Sequence, residues 1–194
     1  MLASLIELQR LKSLNRTGWA LRGLPVDTES VGAHSFGVAA ISMLLADRLA
    51  SLDVQVDTAR ILRMALVHDW AEARIGDMPR TATEYFGREV RRQAEMNAFN
   101  DLVKGIGAKQ EIYRELFEEY ELRSTLEAKL VKAADVIDLL VQVLALERAG
   151  YRGLDEFWEV AEAPDFQLEG KASEIVADVL DQILRARAEI HSRN

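Results

Sequence analysis

Apolar residues along this chain recur every three or four positions and do not alternate, so the elements they predict are helices. Leu2, Leu5, Ile6 and Leu8 open a short amphipathic segment that runs to about Leu14. Asn15 to Ser30 is polar, carries Gly18, Gly23 and Pro25, and reads as loop. From Val31 to about Leu52, the residues Val38, Ile41, Leu44, Leu45 and Leu49 keep helical spacing. Asp57 or Thr58 is suited to cap the next helix. That helix carries Ile61, Leu62, Ala65 and Leu66 and runs into Val67-His68-Asp69-Trp70. Arg74 to Thr83 contains Gly76 and Pro79 and is expected to be loop. Glu84 to Val103 is a charged helix with a thin apolar stripe, ending near Gly105 and Gly107, and Lys109 to Leu122 is a second. Ser124 to about Arg148 reads as a long, mostly buried helix ending at Gly150, its stripe including Leu130, Ala134, Ile137, Val141 and Leu144. A last helix begins near Lys171 and runs to the tail. No strand pattern, repeat or low-complexity segment interrupts this series. The expected fold is all-α, a single compact helical domain over residues 1–194.

Composition narrows the chemistry. With 194 residues the chain is long enough for one domain with a sizeable core. The formal charge of -8 argues against long nucleic acid, whose backbone demands a basic face, but leaves a single nucleotide open. There are no cysteines, which removes disulfides, thiolate metal sites and cysteine nucleophiles. A transition metal would have to be held by His, Asp and Glu. The first ten residues lack the basic start and longer apolar run of a signal peptide, and no stretch is long enough to span a bilayer. A cytoplasmic enzyme or binding protein, with no membrane partner, is the expectation.

Three histidines occur, His34, His68 and His191, the last three residues from the C-terminus. A lone His on an apolar face is usually a satisfied core residue. The pair His68-Asp69 is more informative, because Asp69 sits inside the apolar run Met64 to Trp70. A carboxylate buried there needs a partner, either a metal or an arginine. Asp135 poses the same problem in Lys132-Ala133-Ala134-Asp135-Val136-Ile137-Asp138, where a metal, Lys132 or a distant arginine would answer it. Two imidazoles and two carboxylates on three helices make a four-ligand site for one divalent ion of the Zn, Mn, Co or Ni type.

These residues resemble the HD-domain superfamily of metal-dependent phosphohydrolases. Arg16-Thr17-Gly18-Trp19, Glu29-Ser30-Val31-Gly32-Ala33-His34-Ser35, Ala65-Leu66-Val67-His68-Asp69-Trp70-Ala71-Glu72, Gly76-Asp77-Met78-Pro79 and Glu127 to Asp135 look like the HD-domain 5′-deoxynucleotidases. The resemblance runs from the first helix to about Gly150, with the catalytic core about 16–150 and a C-terminal helix about 171–191. It implies a helical HD-type domain that hydrolyses deoxyribonucleoside 5′-monophosphates to deoxyribonucleoside and phosphate. The implied cofactor is one divalent metal, of the Co, Mn, Zn, Ni or Mg class, held by His34, His68, Asp69 and Asp135. A homodimer is implied as well. Glu72 is the implied catalytic carboxylate, either orienting water or protonating the leaving 5′ oxygen. Asp77 is implied to accept a hydrogen bond from the sugar 3′-hydroxyl, and Trp19 to wall off the 2′ position. Arg16 is implied to contact the phosphate, a role for which Arg22 is a rival because Thr17 and Gly18 separate Arg16 from Trp19. Lys132 is a further candidate for the phosphate or the metal shell. Asp138, three residues after Asp135, is either a supporting group or an alternative fourth ligand. Arg80 and Thr81 lie where they could close the pocket.

The residues also carry other readings. Glu72 could pair with Arg74 as a surface helix end, Asp77 could be a turn residue, and Trp19 could anchor its loop to the core. At the level of function, a triphosphohydrolase or phosphodiesterase of the same superfamily is the nearest rival. With His191 set aside the chain has no histidine for a second metal, and a triphosphate needs several cations around it. A non-catalytic helical module binding a nucleotide or a protein, or a purely structural metal, are the remaining alternatives.

Overall fold

A computed structural model describes residues 1–162 and 164–192 of the chain. Its helices are α1 (Leu2–Leu8), α2 (Thr17–Leu21), α3 (Val31–Ala50), α4 (Thr58–Val67), α5 (Glu72–Ile75), α6 (Arg80–Phe86), α7 (Arg88–Val103), α8 (Gln110–Leu122), α9 (Leu126–Arg148), α10 (Asp155–Glu162) and α11 (Gly170–Ser192). Short 3₁₀ turns follow α1 at Gln9–Lys12 and α7 at Lys104–Ile106. Among the described residues there is no strand, only one antiparallel bridge between Asn15 and Ser30. The all-α expectation is met. No helix among the described residues is long and apolar enough to cross a membrane.

The chain divides into two units, Met1–Phe36 with Leu66–Glu119, and Gly37–Ala65 with Tyr120–Asn194. In the first, aromatic rings form the centre: Phe99 stacks on Phe117 at 4.1 Å, and Trp70 lies 5.6 Å from Tyr113 and 6.3 Å from Phe99. The α1 stripe read from the sequence does not point into this core. Leu2, Leu5 and Ile6 are exposed, while Ser4 is buried and donates its hydroxyl to the Leu102 carbonyl at 2.8 Å. Gly105 makes this approach possible, since a Cβ there would lie 2.4 Å from Ser4 Oγ. In the second unit α10 and α11 pack on α9, whose Leu130, Ile137, Leu140 and Val143 are buried. Val141, assigned to that stripe by spacing, is 45% exposed and lies off it.

Caps set several helix starts. Ser30 Oγ accepts the Ala33 amide at the head of α3, Asp57 Oδ1 accepts the Arg60 amide at the head of α4, and Thr125 Oγ1 accepts the Ala128 amide at the head of α9. Of the two residues suited to cap α4, Asp57 does so. Four segments differ from the pattern. The expected loop Asn15 to Ser30 holds α2, and Arg74 to Thr83 holds the end of α5 and the start of α6. The charged helix expected from Glu84 is broken at Gly87, whose φ of +89° is left-handed backbone that suits glycine. The segment between Gly150 and Lys171, for which spacing predicts nothing, contains α10.

Candidate active site

The site residues of the first unit sit on three short pieces of backbone. His34 lies in the first turn of α3 and is 1% exposed. His68 and Asp69 follow the last residue of α4, in a turn rather than in the helix. Here the expectation that the helix runs on through Trp70 is corrected. Four amides here bond three residues back, Trp70 to Val67, Glu72 to Asp69, Ala73 to Trp70 and Arg74 to Ala71. The tighter winding ends α4 and starts α5 at Glu72.

This turn brings three donor atoms together. Asp69 Oδ2 lies 3.2 Å from His68 Nε2 and 3.6 Å from His34 Nε2, and the two rings meet edge to face with centroids 5.4 Å apart. Ligands that share one ion at about 2.0–2.2 Å sit roughly 3–3.6 Å from each other, so this two-nitrogen, one-oxygen set fits a divalent cation. Arg16 Nη1 stands 3.8 Å from the same oxygen. Burial alone would push the Asp69 carboxyl up, but His68, then His34 and Arg16, pull it well below the usual carboxylate range. Asp69 is thus held as the anion a metal ligand must be.

Glu72 behaves in the opposite way. It is 7% exposed, and its Oε2 is buried without a hydrogen-bond partner. Burial first, then the negative charges of Asp69 and Asp77, push its carboxyl well above the ordinary value, against a smaller opposing pull from Arg16 and Arg91. Pairing with Arg74 is excluded: that guanidinium is taken by Glu7 at 2.7 and 2.9 Å.

Arg16, Trp19 and Asp77 are tied into one assembly. Main-chain bonds from Arg16 to Glu29 (3.0 Å) and from Val31 to Leu14 (2.8 Å) close the base of the Asn15–Ser30 segment. Asp77 Oδ2 accepts the Thr17 amide at the head of α2, and Thr17 Oγ1 donates to the Asp77 carbonyl at 2.8 Å. Trp19 is 2% exposed and donates its indole N–H to Glu29 at 2.8 Å, so it does anchor its loop. Arg22 is half-buried at the end of α2, and Arg80 and Thr81 are exposed in the first turn of α6.

Asp135 and Lys132 belong to the second unit. Lys132 Nζ donates to Asp135 Oδ2 at 2.7 Å, as one of the alternatives read from the sequence has it, and Tyr120 donates its hydroxyl to the same oxygen at 3.0 Å. Asp138 faces α3 at Gly37, where a Cβ would fall 1.9 Å from its Oδ1. His191 lies 3.7 Å from Glu147. Three participants had escaped the sequence reading. Glu29 stood inside a motif already singled out. Tyr120 and Gly37 carried no local signal, since each is defined by a residue far along the chain.

A family model described as HD domain matches residues 8–166. The chain is similar to the 5′-deoxynucleotidase hdd1 of Schizosaccharomyces pombe, 32% identical over 77% of this chain and 75% of that one. It is similar to the human 5′-deoxynucleotidase HDDC2, 30% identical over 94% of this chain and 88% of the relative. Its fold is similar to that of a conserved hypothetical protein from Pyrococcus furiosus, with a TM-score of 0.82 and 34% identity over 95% of this chain and 99% of the other. On these matches the chain belongs to the HD-domain family, in the group that includes the 5′-deoxynucleotidases.

Proposed function

We propose that this chain hydrolyses deoxyribonucleoside 5′-monophosphates to the deoxyribonucleoside and phosphate with the help of one divalent metal. The observation that carries the reading is the convergence of His34 Nε2 and His68 Nε2 on Asp69 Oδ2, beside the partnerless buried oxygen of Glu72. The relatives named as 5′-deoxynucleotidases support the substrate class.

The proposed ligands are His34, His68, Asp69 and Asp135, the last on the resemblance of its segment. Imidazole and carboxylate together suit an ion of the Co, Mn, Zn, Ni or Mg class. When bound, such an ion supplies Lewis acidity, drawing charge from a phosphoryl oxygen and making water a better nucleophile near neutral pH. The chain's own residues do the rest. Arg16 binds a phosphoryl oxygen through its guanidinium fork. This role goes to Arg16 rather than Lys132, whose ammonium is engaged by Asp135. As the P–O5′ bond breaks, the attacking water loses a proton and the departing oxygen gains one, and Glu72 Oε2 is the proton-handling atom. Asp77 accepts the 3′-hydroxyl, and the Trp19 ring stands beside the 2′ carbon, where a ribose hydroxyl would clash. A free mononucleotide substrate goes with a cytoplasmic setting. A homodimer goes with the apolar side chains left exposed, such as Phe36 and Leu44.

The test is phosphate release from matched deoxyribo- and ribonucleoside 5′-monophosphates, with a panel of divalent metals added to chelator-stripped protein. The expected result is metal-dependent release with a deoxy preference that Trp19→Ala abolishes. No release from any common monophosphate with any of the metals would overturn the proposal.

A further inference from the structure

The buried oxygen of Glu72 has no hydrogen-bond partner, so its place is set by the backbone that carries it. That backbone is α5, a helix of four residues, and a single turn has little stability of its own. Two side-chain ties hold the turn, and both come from the N-terminal segment of the same unit. Arg74 donates to Glu7 of α1 at 2.7 and 2.9 Å. Arg10, in the 3₁₀ turn after α1, donates from Nη1 to the carbonyl of Ala73 at 3.1 Å. Ala73 is buried and adjoins Glu72. The end of α5 explains why this carbonyl takes an arginine. The Gly76 amide bonds to the Glu72 carbonyl at 2.9 Å, and Gly76 then leaves the helix with a φ of +79°. The last carbonyls of a helix have no amide ahead of them and need other donors. A basic side chain suits them, since it donates and its charge complements the helix C-terminus. The segment that supplies the tie is itself fixed. Ser4 bonds to the Leu102 carbonyl, Leu11 is buried, and the Arg10 carbonyl accepts the Leu14 amide at 2.8 Å.

We infer that Arg10 is a positioning residue for Glu72: its bond to the Ala73 carbonyl holds the backbone of α5, and with it the carboxyl that no side chain holds. The inference rests on Glu72 being the proton-handling group, as proposed above. A group that transfers protons must stand within hydrogen-bond reach of its target, so a small drift of its backbone is costly. The other site residues of this unit do not depend on the same bond. Arg16 is held by its own main-chain bond to Glu29 at 3.0 Å. His34 lies on α3, and His68 and Asp69 precede α5. Loss of the Arg10 tie should therefore loosen Glu72 and leave the phosphate contact and these ligands in place.

The experiment compares full-length wild type, Arg10→Met, Arg10→Lys and Glu72→Gln. Each is titrated calorimetrically with Co²⁺, melted, and assayed on deoxyribonucleoside 5′-monophosphates at saturating Co²⁺. Glu72→Gln is expected to lower kcat by about 100-fold or more, the usual worth of a proton-transferring side chain. Arg10→Met keeps an unbranched stem but no donor. It is expected to lower kcat by about tenfold or more, approaching the 100-fold that a displacement of about 1 Å brings. KM and Co²⁺ affinity should stay at the wild-type values. A role in stability alone would lower the melting temperature and leave kcat of the folded protein unchanged. Arg10→Lys retains a charged donor for a single carbonyl and should recover most of kcat, and it carries the test if the methionine variant does not fold. If Glu72→Gln is slow while Arg10→Met turns over as wild type, the positioning role is overturned and Glu72 stands. Methionine and lysine variants that are equally slow would also overturn it, since the donor would then not be what matters. If Glu72→Gln turns over as wild type, the assignment of Glu72 itself fails and takes the inference with it.

Discussion

Asp77 has two tasks that a pair of substitutions should separate. Its Oδ2 accepts the first amide of α2, at Thr17, while its proposed catalytic task is to accept the substrate's 3′-hydroxyl. Asp77→Ala removes both. Loss of a capping carboxylate costs about 0.5–2 kcal/mol, most often about 1. For a chain of 194 residues, 1 kcal/mol corresponds to a fall in Tm of about 2–4 °C. The loss should not be larger, because the Thr17 hydroxyl still meets the backbone carbonyl of residue 77 and two main-chain bonds still close the segment's base. The effect on turnover should be much larger. Arg16 precedes Thr17 directly, so a freed Thr17 loosens the proposed phosphate contact as well as removing the sugar contact. A misplacement of about 1 Å in a reacting group is enough for a 100-fold loss, so kcat/KM for deoxynucleotides should fall by about that factor or more. Asp77→Asn keeps an oxygen for the Thr17 amide and should recover most of the Tm. Differential scanning calorimetry and steady-state kinetics on the three proteins make the test. An alanine variant that melts with the wild type refutes the capping argument, and one that keeps wild-type kcat/KM refutes the pocket assignment.

Three further outcomes follow from the packing and charge. Glu72→Gln should stabilise the metal-free protein increasingly as pH rises. The folded carboxyl sits above its ordinary value of 4.5, so the wild type's advantage is full below that pH and is lost as pH rises through the folded value. Urea midpoints at pH 4.5 and 7.5 that differ by the same amount between the two proteins would contradict it. Gly37→Ala should destabilise despite alanine's helix propensity, worth about 1 kcal/mol, because its Cβ would fall 1.9 Å from Asp138 Oδ1. Overpacking of this kind costs about 1–3 kcal/mol, and the penalty should vanish in an Asp138→Ala background, read as a double-mutant cycle by denaturant unfolding. Phe99→Ala, removing a fully buried ring stacked on Phe117, should cost about 3–5 kcal/mol in the same assay. A cost under 1 kcal/mol would mean the aromatic centre of the first unit is not what holds it.

The legible parts of the protein were those whose cause is local. The apolar periodicities of α3, α4, α8, α9 and α11 lie within each helix's own residues, and so do the caps at Ser30, Asp57 and Thr125. The exceptions have visible reasons. α1 shows an apolar stripe but buries Ser4, because the deciding partners, Leu102 and Gly105, lie about a hundred residues away. Val141 keeps the α9 spacing yet stays exposed, because period alone does not say how wide a helix's buried face is. α10 was missed, although its Asp155 and Glu156 in the first turn are a local helix-start signal.

The candidate site divides along the same line. Its chemical inventory was readable from the chain alone, since two interior histidines, an aspartate inside an apolar run and the absence of cysteine limit what a metal could use. The ordered motifs around them suffice for the family. Tertiary structure was needed for everything that depends on direction: that His34 and His68 meet at one oxygen of Asp69, that Glu72 turns inward while Arg74 turns to Glu7, and that Tyr120 reaches Asp135. Residue types and spacing encode which atoms are present and which helix they ride on. Where those atoms point is set by contacts between segments far apart in the chain, and no local pattern carries that information.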